Sequence, residues 1–280
     1  MRITLCVKRD LHGCIFLNQL LPGLRGHEIS VLLSDKHRPG ESQIQELAEM
    51  AWLERTLPVE TLFPMLDAQA HRKGDWLSFR GLADFCGFSM STVADRPTLT
   101  DALDRLQPEL IISARFSLIF TEAMIKATRH GIINIHPAAL PQFAGLFGPM
   151  RTMAEGHDHF TCAVHLVDPG IDSGPLLYTA DLPLRPGEAL LHQIAEIYPL
   201  AIPYLLDAIR QLTAGAPLCG TPQDRSTRRY RSFPDRSEID AFITQGHRFW
   251  DKTAYESLIG RFLPGWRMAD ADMPLAVSSG

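Results

Sequence analysis

The sequence predicts an α/β protein built on an open, mostly parallel sheet with flanking helices and a small C-terminal appendage. Two observations carry this. Short apolar runs that read as buried strands alternate with stretches of helical periodicity up to Leu212, the pattern of a mostly parallel sheet. After Gly215 that alternation stops and a basic, turn-rich stretch takes over, so the division falls into a catalytic unit at 1–214 and an extension at 215–280. A chain of 280 residues with 45% apolar content can bury one sizeable core.

The elements follow in order. Ile3 to Val7 and Glu28 to Leu33 read as buried strands, with Phe16, Leu17, Leu20 and Leu21 at helical spacing between them. Gln43 to Leu57 reads as a helix after the turn Pro39-Gly40-Glu41-Ser42. Residues 58 to 98 have no clear pattern beyond a helix over Trp76 to Phe85, and read as an excursion or insert. Asp101 to Leu106 is helical, with Thr100 as its N-cap, and Leu110 to Ala114 is a strand. Thr121 to Thr128 is a helix, Gly131 to Ile135 a strand, and the Pro- and Gly-rich stretch Pro137 to Pro149 a loop. Phe160, Cys162, Val164 and Leu166 alternate as in a half-exposed strand, and Pro175 to Asp181 is another strand. Glu188 to Leu212 is a long helix bent by Pro199 and Pro203. Asp235 to Phe242 and His247 to Leu258 are short helices, and Ala269 to Gly280 a mobile tail.

Composition excludes some functions. The net charge is −5, so no basic field for nucleic acid is expected. No apolar run of about 18 residues implies a membrane span. The N-terminus reads as a first strand rather than a signal peptide. Five scattered cysteines, an odd number without framework spacing, point to reduced thiols in the cytoplasm. His157, His159, Cys162 and His165 match no zinc spacing, so no metal is expected.

The chemistry concentrates in two segments. Asn134-Ile135-His136-Pro137 ends a strand and opens a loop, which places Asn134 and His136 at the carboxyl end of a sheet strand, on one face. An amide donor beside an imidazole can hold a developing oxyanion and move a proton. Val167-Asp168-Pro169-Gly170-Ile171-Asp172-Ser173-Gly174-Pro175 is a tight turn centred on carboxylates, with glycines that admit a ligand to the backbone. A carboxylate beside an imidazole fixes its orientation. Singly, an Asn-x-His tripeptide is common and an Asp in a Gly-rich turn is a turn former.

Together they carry a specific resemblance. Asn-x-His-Pro-x-x-x-Pro, a Gly-rich loop, then Val-His-x-Val-Asp-x-Gly-x-Asp-x-Gly-Pro resembles the folate-dependent formyltransferase family. The interval from Asn134 to Asp172 agrees with the family's glycinamide ribonucleotide branch without a gap. The likeness is clear from Leu110 to Leu184, looser over residues 1 to 60, and absent over 58 to 98 and the C-terminal portion. It implies a Rossmann-like fold and 10-formyltetrahydrofolate as co-substrate. It implies that Asn134 binds the formyl oxygen, that His136 stabilises the oxyanion and relays a proton, and that Asp172 orients His136 and accepts the amine proton through a water. The folate would lie between the loop Ala114, Arg115, Phe116, Leu118, Ile119 and the turn Val167, Asp168, Gly170. His165 matches a family histidine and is read as a supporting residue.

Departures from the family narrow the acceptor. The place of the Gly-rich phosphate loop reads Lys8-Arg9-Asp10-Leu11-His12-Gly13-Cys14, which cannot cradle a phosphate in the same way. The stretch after Gly215 is too short for the β-domain of the initiator-tRNA enzymes. The hydrolases of the family carry an N-terminal regulatory domain, whereas here the first strand opens the sequence. Ala138-Ala139 replaces the family's Ser-Leu. What remains is formyl transfer to an amine or hydroxylamine of a small molecule, with hydroxyornithine of siderophore synthesis ahead of an amino sugar on a nucleotide. A 10-formyltetrahydrofolate hydrolase and a non-catalytic folate-binding protein are the alternatives. Tyr230 to Asp235 is expected to shape the acceptor pocket, and the Arg228-Arg229-Tyr230-Arg231 run to be a solvated face or a contact for an anion.

Overall fold

The computed structural model describes residues 1–36, 39–69 and 74–269. Each strand of the first half leads into a helix that packs back on the sheet. β1 (Arg2–Lys8) precedes α1 (Leu11–Leu20), and β2 (Glu28–Ser34) precedes α2 (Gln45–Ala51). The α2 helix does not stop at Ala51. It widens through two i→i+5 segments, Trp52–Thr56 and Pro58–Leu62, and ends as α3 (Phe63–Asp67). The wide turns accommodate Pro58, which has no N–H to give to a regular ladder. Then come α4 (Phe79–Cys86), β3 (Ser89–Val93), α5 (Arg96–Leu106), β4 (Leu110–Ala114), α6 (Glu122–Ala127) and β5 (Ile132–His136). The second half has β6 (Ala144–Gly145), α7 (Gly148–Ala154), β7 (His159–Leu166), β8 (Leu176–Pro183), α8 (Leu190–Ile197) and α9 (Ile202–Thr213). Past residue 215 lie β9 (Tyr230–Arg231), α10 (Arg236–Thr244) and α11 (Lys252–Ile259).

The main sheet has the order β3-β2-β1-β4-β5-β7-β8. The first five strands are mutually parallel; β7 runs antiparallel to β5, and β8 antiparallel to β7. The chain reverses its direction of travel across the sheet at β1 and β4, which opens a crevice above their carboxyl ends. Both faces are covered, so the central strands are near-continuous apolar runs. One face buries Cys6, Leu32, Ile111 and Ile132 under Leu99, Leu103 and Met124. The other buries Leu5, Val7, Ile112, Ile133 and Ile135 in the larger cluster, which also takes in Phe242, Tyr255 and Phe262 from beyond residue 215. The extension therefore packs into the main core.

The structure corrects several sequence expectations. α5 starts at Arg96 rather than Asp101: Asp95 is the N-cap, with Oδ1 accepting from the Thr98 N–H at 2.9 Å, and the Thr100 hydroxyl donates to the Arg96 carbonyl inside the helix. Pro97 fits because the first turn needs no N–H from it. β3 went unseen because Ser89, Met90, Ser91 and Thr92 are all exposed on an edge strand, with no apolar alternation to betray it. β7 is not half-exposed, since Ala163 and His165 on its second face are buried as fully as Cys162 and Val164. The loop expected over 137–149 contains β6 and the start of α7. The long helix breaks at Pro199 into α8 and α9. The helix expected from His247 begins at Lys252, because the Arg248 and Phe249 carbonyls are engaged in accepting the Leu190 and Leu191 N–H groups that open α8, both at 2.9 Å. The tail beyond 269 lies outside the described residues. Among the described residues no helix is long and apolar enough to cross a membrane.

Candidate active site

The crevice holds a cavity of about 370 Å³ whose walls include Asn134, His136, His165 and Asp172. Register explains why these four meet. Ser113 on β4, Asn134 on β5 and His165 on β7 pair in one row across the sheet. His136 ends β5, and the turn after β7 brings Asp172 back over it.

Hydrogen bonds set the state of each group. The Asn134 amide nitrogen lies 3.1 Å from His165 Nε2, and His165 Nδ1 lies 2.8 Å from the Leu166 carbonyl. Since a carbonyl only accepts, Nδ1 carries the proton and Nε2 accepts from Asn134. Burial, the largest influence, lowers the His165 pKa and favours this neutral form. The second N–H of the Asn134 amide is left for a ligand. His136 Nε2 donates to the Phe143 carbonyl at 2.8 Å, so Nδ1 faces the cavity, 3.7 Å from Asp172 Oδ2. Asp172 Oδ2 accepts from the Gly145 N–H at 2.8 Å, and Oδ1 is 3.8 Å from His165 Nε2. One carboxylate thus faces two imidazoles.

The backbone is held out of its preferred conformation to achieve this. Asp172, Phe147 and Arg115 all have φ between 50° and 58° and all line the cavity. Such residues cost about 1–3 kcal/mol each and persist where the surroundings over-determine them. The Asp172 turn is fixed from the C-terminal side: Gln223 Nε2 donates to the Asp172 and Gly174 carbonyls at 3.2 and 2.7 Å, and Arg228 donates to the Ile171 carbonyl at 2.7 Å. Gly174 is required, since a Cβ there would stand 1.9 Å from the Leu166 carbonyl oxygen.

The residues assigned to folate separate into two groups. Phe116, Leu118, Ile119, Val167 and Gly170 line the cavity, and the Phe116 and Phe120 rings stack at 5.6 Å. Ala114 and Asp168 are not on the cavity wall. Ala114 is fully buried in the main core. Asp168 closes its own turn by accepting from Ser173 and the Gly170 N–H at 2.7 and 3.0 Å. Arg115 lines the cavity with its guanidinium held by two buried carboxylates. It donates to Asp10 Oδ2 at 2.9 and 2.7 Å and to Glu54 Oε2 at 3.0 Å, beside the Tyr198 ring. Burial alone would raise the Glu54 carboxyl; Arg115 and His12 more than reverse this and hold it well below its ordinary 4.5. Asp10 also caps α1 by accepting from the Gly13 N–H at 2.8 Å. The helix N-terminus beside β1 is therefore already filled by a side-chain carboxylate.

Sequence reasoning missed Lys8, Glu41, Leu47, Met50, Glu54, Phe147, Ile194 and Tyr198 on the walls. The position of Lys8 at the carboxyl end of a central strand was the one available signal. Tyr230 and Phe233 also reach the cavity, because β9 pairs with β6 and Phe233 packs on Phe147 at 5.4 Å. His159 sits against Asp158 at 2.6 Å on the surface, and the His157 ring meets Phe143 edge-on.

Residues 70–196, which include Asn134, His136, His165 and Asp172, match the model of the formyl transferase family. That segment is similar to formyl transferases. Curated relatives agree. The methionyl-tRNA formyltransferase of Marinobacter nauticus is 30% identical over 167 residues, covering 58% of this chain and 50% of that protein. The trifunctional purine biosynthetic protein adenosine-3 of Drosophila pseudoobscura pseudoobscura is 36% identical over 90 residues, covering 32% of this chain and 7% of that one. The chain thus spans half the length of the tRNA enzyme and a small part of the purine protein. Among solved structures, phosphoribosylglycinamide formyltransferase from Anaplasma phagocytophilum superposes with a TM-score of 0.53 at 18% identity, covering 80% of this chain and 96% of that one. The N-formyltransferase from Helicobacter canadensis, in complex with folinic acid and dTDP-3-aminofucose, gives 0.54 at 14% identity, covering 93% and 79%. At these identities the likeness is one of fold.

Proposed function

We propose that the protein transfers the formyl group of 10-formyltetrahydrofolate to an amine or hydroxylamine on a small molecule. The observation that carries this is the arrangement at the cavity floor. An amide N–H of Asn134, the Nδ1 atom of His136 and the Asp172 carboxylate converge on one space. The structure of a relative with folinic acid bound supports folate as the donor.

The folate fits the cavity wall formed by Phe116, Leu118, Ile119, Val167 and Gly170, which offers flat apolar surface and backbone groups. It supplies the formyl carbon. The acceptor nitrogen attacks that carbon, and its oxygen gains negative charge. The Asn134 N–H, and His136 Nδ1–H in the protonated form, stabilise that oxygen. The excess proton on the acceptor nitrogen passes through water to Asp172. The bond from carbon to the folate nitrogen then breaks, and a proton returns to the leaving nitrogen.

The fold is shared with a formyltetrahydrofolate deformylase from Pseudomonas syringae pv. tomato, at a TM-score of 0.51 and 16% identity, so the acceptor must be tested directly. Tetrahydrofolate release is followed with hydroxyornithine, amino sugars on nucleotides, and no amine. Release that requires one amine is expected. Release that ignores every amine would make the protein a hydrolase, and none under any condition would make it a binding protein.

A further inference from the structure

Part of the cavity lining is not used by the proposed folate wall. It includes Lys8 at the end of β1, Leu47 and Met50 on α2, and Ile194 on α8. Lys8 and Glu41 stand on this lining and face each other, Nζ to Oε1, at 3.4 Å. Their side chains are 17% and 13% exposed. Glu41 is held from behind by Arg55 at 2.5 Å. The Lys8 contact is longer than the ~2.7–2.9 Å of a tight charge-assisted bond, so the pair can open.

The charges around these residues balance. Arg55 is matched to Glu41, Arg115 to Asp10 and Glu54, Arg9 to Asp35 and Lys8 to Glu41. A phosphate entering here meets no surplus of positive charge, and the α1 N-terminus is occupied by Asp10. A zwitterion is different. Inserted into the Lys8–Glu41 pair, it gives each partner a new opposite charge and adds no net charge to a half-buried site.

Length agrees. Val7, Ala114 and Ile135 lie in one register row, so the next residues, Lys8 and His136, stand two strand spacings apart, or about 10 Å. An extended amino acid with a three-carbon side chain spans about 5–6 Å from α-carbon to terminal nitrogen, and the Lys8 side chain covers the rest.

We propose that Lys8 and Glu41 form the head-group subsite of the acceptor, binding the α-carboxylate and α-ammonium of an amino acid whose side-chain nitrogen reaches Asn134, His136 and Asp172. This rests on the formyl-transfer reading and names the acceptor class within it. The test measures binding, so it is independent of turnover. Ornithine, 5-aminovalerate (no α-ammonium), 1,4-diaminobutane (no carboxylate) and a dTDP-linked amino sugar are titrated calorimetrically into protein holding 5-formyltetrahydrofolate. Each missing charge is expected to weaken binding at least tenfold, which is about 1.4 kcal/mol. Lys8→Met should erase the gap between ornithine and diaminobutane, and Glu41→Gln that between ornithine and aminovalerate. The wild-type comparison decides the matter even if a variant fails to fold. Equal affinity for the first three ligands, no binding of any, or tighter binding of the dTDP sugar would overturn the proposal. Head-group-dependent binding without formyl transfer to any amine would instead sink the proposed reaction and leave the subsite standing.

Discussion

Replacing Arg115 with methionine removes one cation from between two buried carboxylates. Asp10 is fully buried and Glu54 is 8% exposed, and Arg115 is the arginine that donates to both. Breaking a buried pair by removing one partner costs about 3–5 kcal/mol, because the other charge stays behind. For a chain of this size that corresponds to a fall in Tm of roughly 10 °C. Urea unfolding at pH 7 measures the loss, and Arg115→Lys, which keeps the charge but not the fork, should lie between. The pH dependence has a definite sign. In the wild type the Glu54 carboxyl is held below its ordinary 4.5, so the stability it contributes is present above that pH and lost as pH falls through the folded value. Without Arg115 the Glu54 carboxyl titrates higher and is neutralised first, so the deficit of the variant should narrow as the solution is acidified. An Arg115→Met protein within about 1 kcal/mol of wild type at pH 7, or a deficit that ignores pH, would refute the account.

Four further outcomes are expected. Asn134→Ala should lower kcat by about 10²–10³, the effect of losing one oxyanion donor, while folate binding measured by fluorescence quenching stays near wild type. Asp172→Asn should fold normally, since Asn tolerates positive φ and can still accept from the Gly145 N–H, yet lose about 10²–10⁴ in kcat with the proton acceptor. His165 is pushed below its ordinary 6.5 by burial, so it accepts from Asn134 at neutral pH. Acid charges it and ends that bond, so kcat should fall with an inflection below 6.5, one that a pH profile of His165→Gln lacks. Arg151 is 4% exposed, pairs with Glu238 at 2.8 and 3.1 Å, and donates to the Leu146 and Ser232 carbonyls. Arg151→Met should therefore destabilise the protein by about 1–3 kcal/mol in urea and raise hydrogen exchange across residues 228–235.

The parts legible in the sequence were those whose signal is local. Leu110 to Ala114 and Ile132 to His136 are buried on both faces and read as apolar runs, and the proline-rich stretch after His136 marked the carboxyl end of β5. Asn134 and His136 followed from that position and from the family motif. Less legible was whatever depends on distant partners. Arg115 reads as a loop residue free to meet a ligand, but its carboxylates lie 105 and 61 residues away. Lys8 and Glu41, 33 residues apart, meet only because β1 ends beneath the segment that opens α2. β3 escaped because an exposed edge strand needs no apolar pattern, and the helix past Leu57 because a proline ordinarily signals an end.

The claim that matters most is that Asn134, His136 and Asp172 move a formyl group from folate to an amine. A single turnover with 10-formyltetrahydrofolate carrying a ¹³C formyl carbon, in the presence of hydroxyornithine, follows that carbon directly. The account predicts that the label appears on the acceptor nitrogen with wild-type protein and stays on the folate with Asp172→Asn. Label released as free formate, or transfer at an undiminished rate by Asp172→Asn, would contradict it.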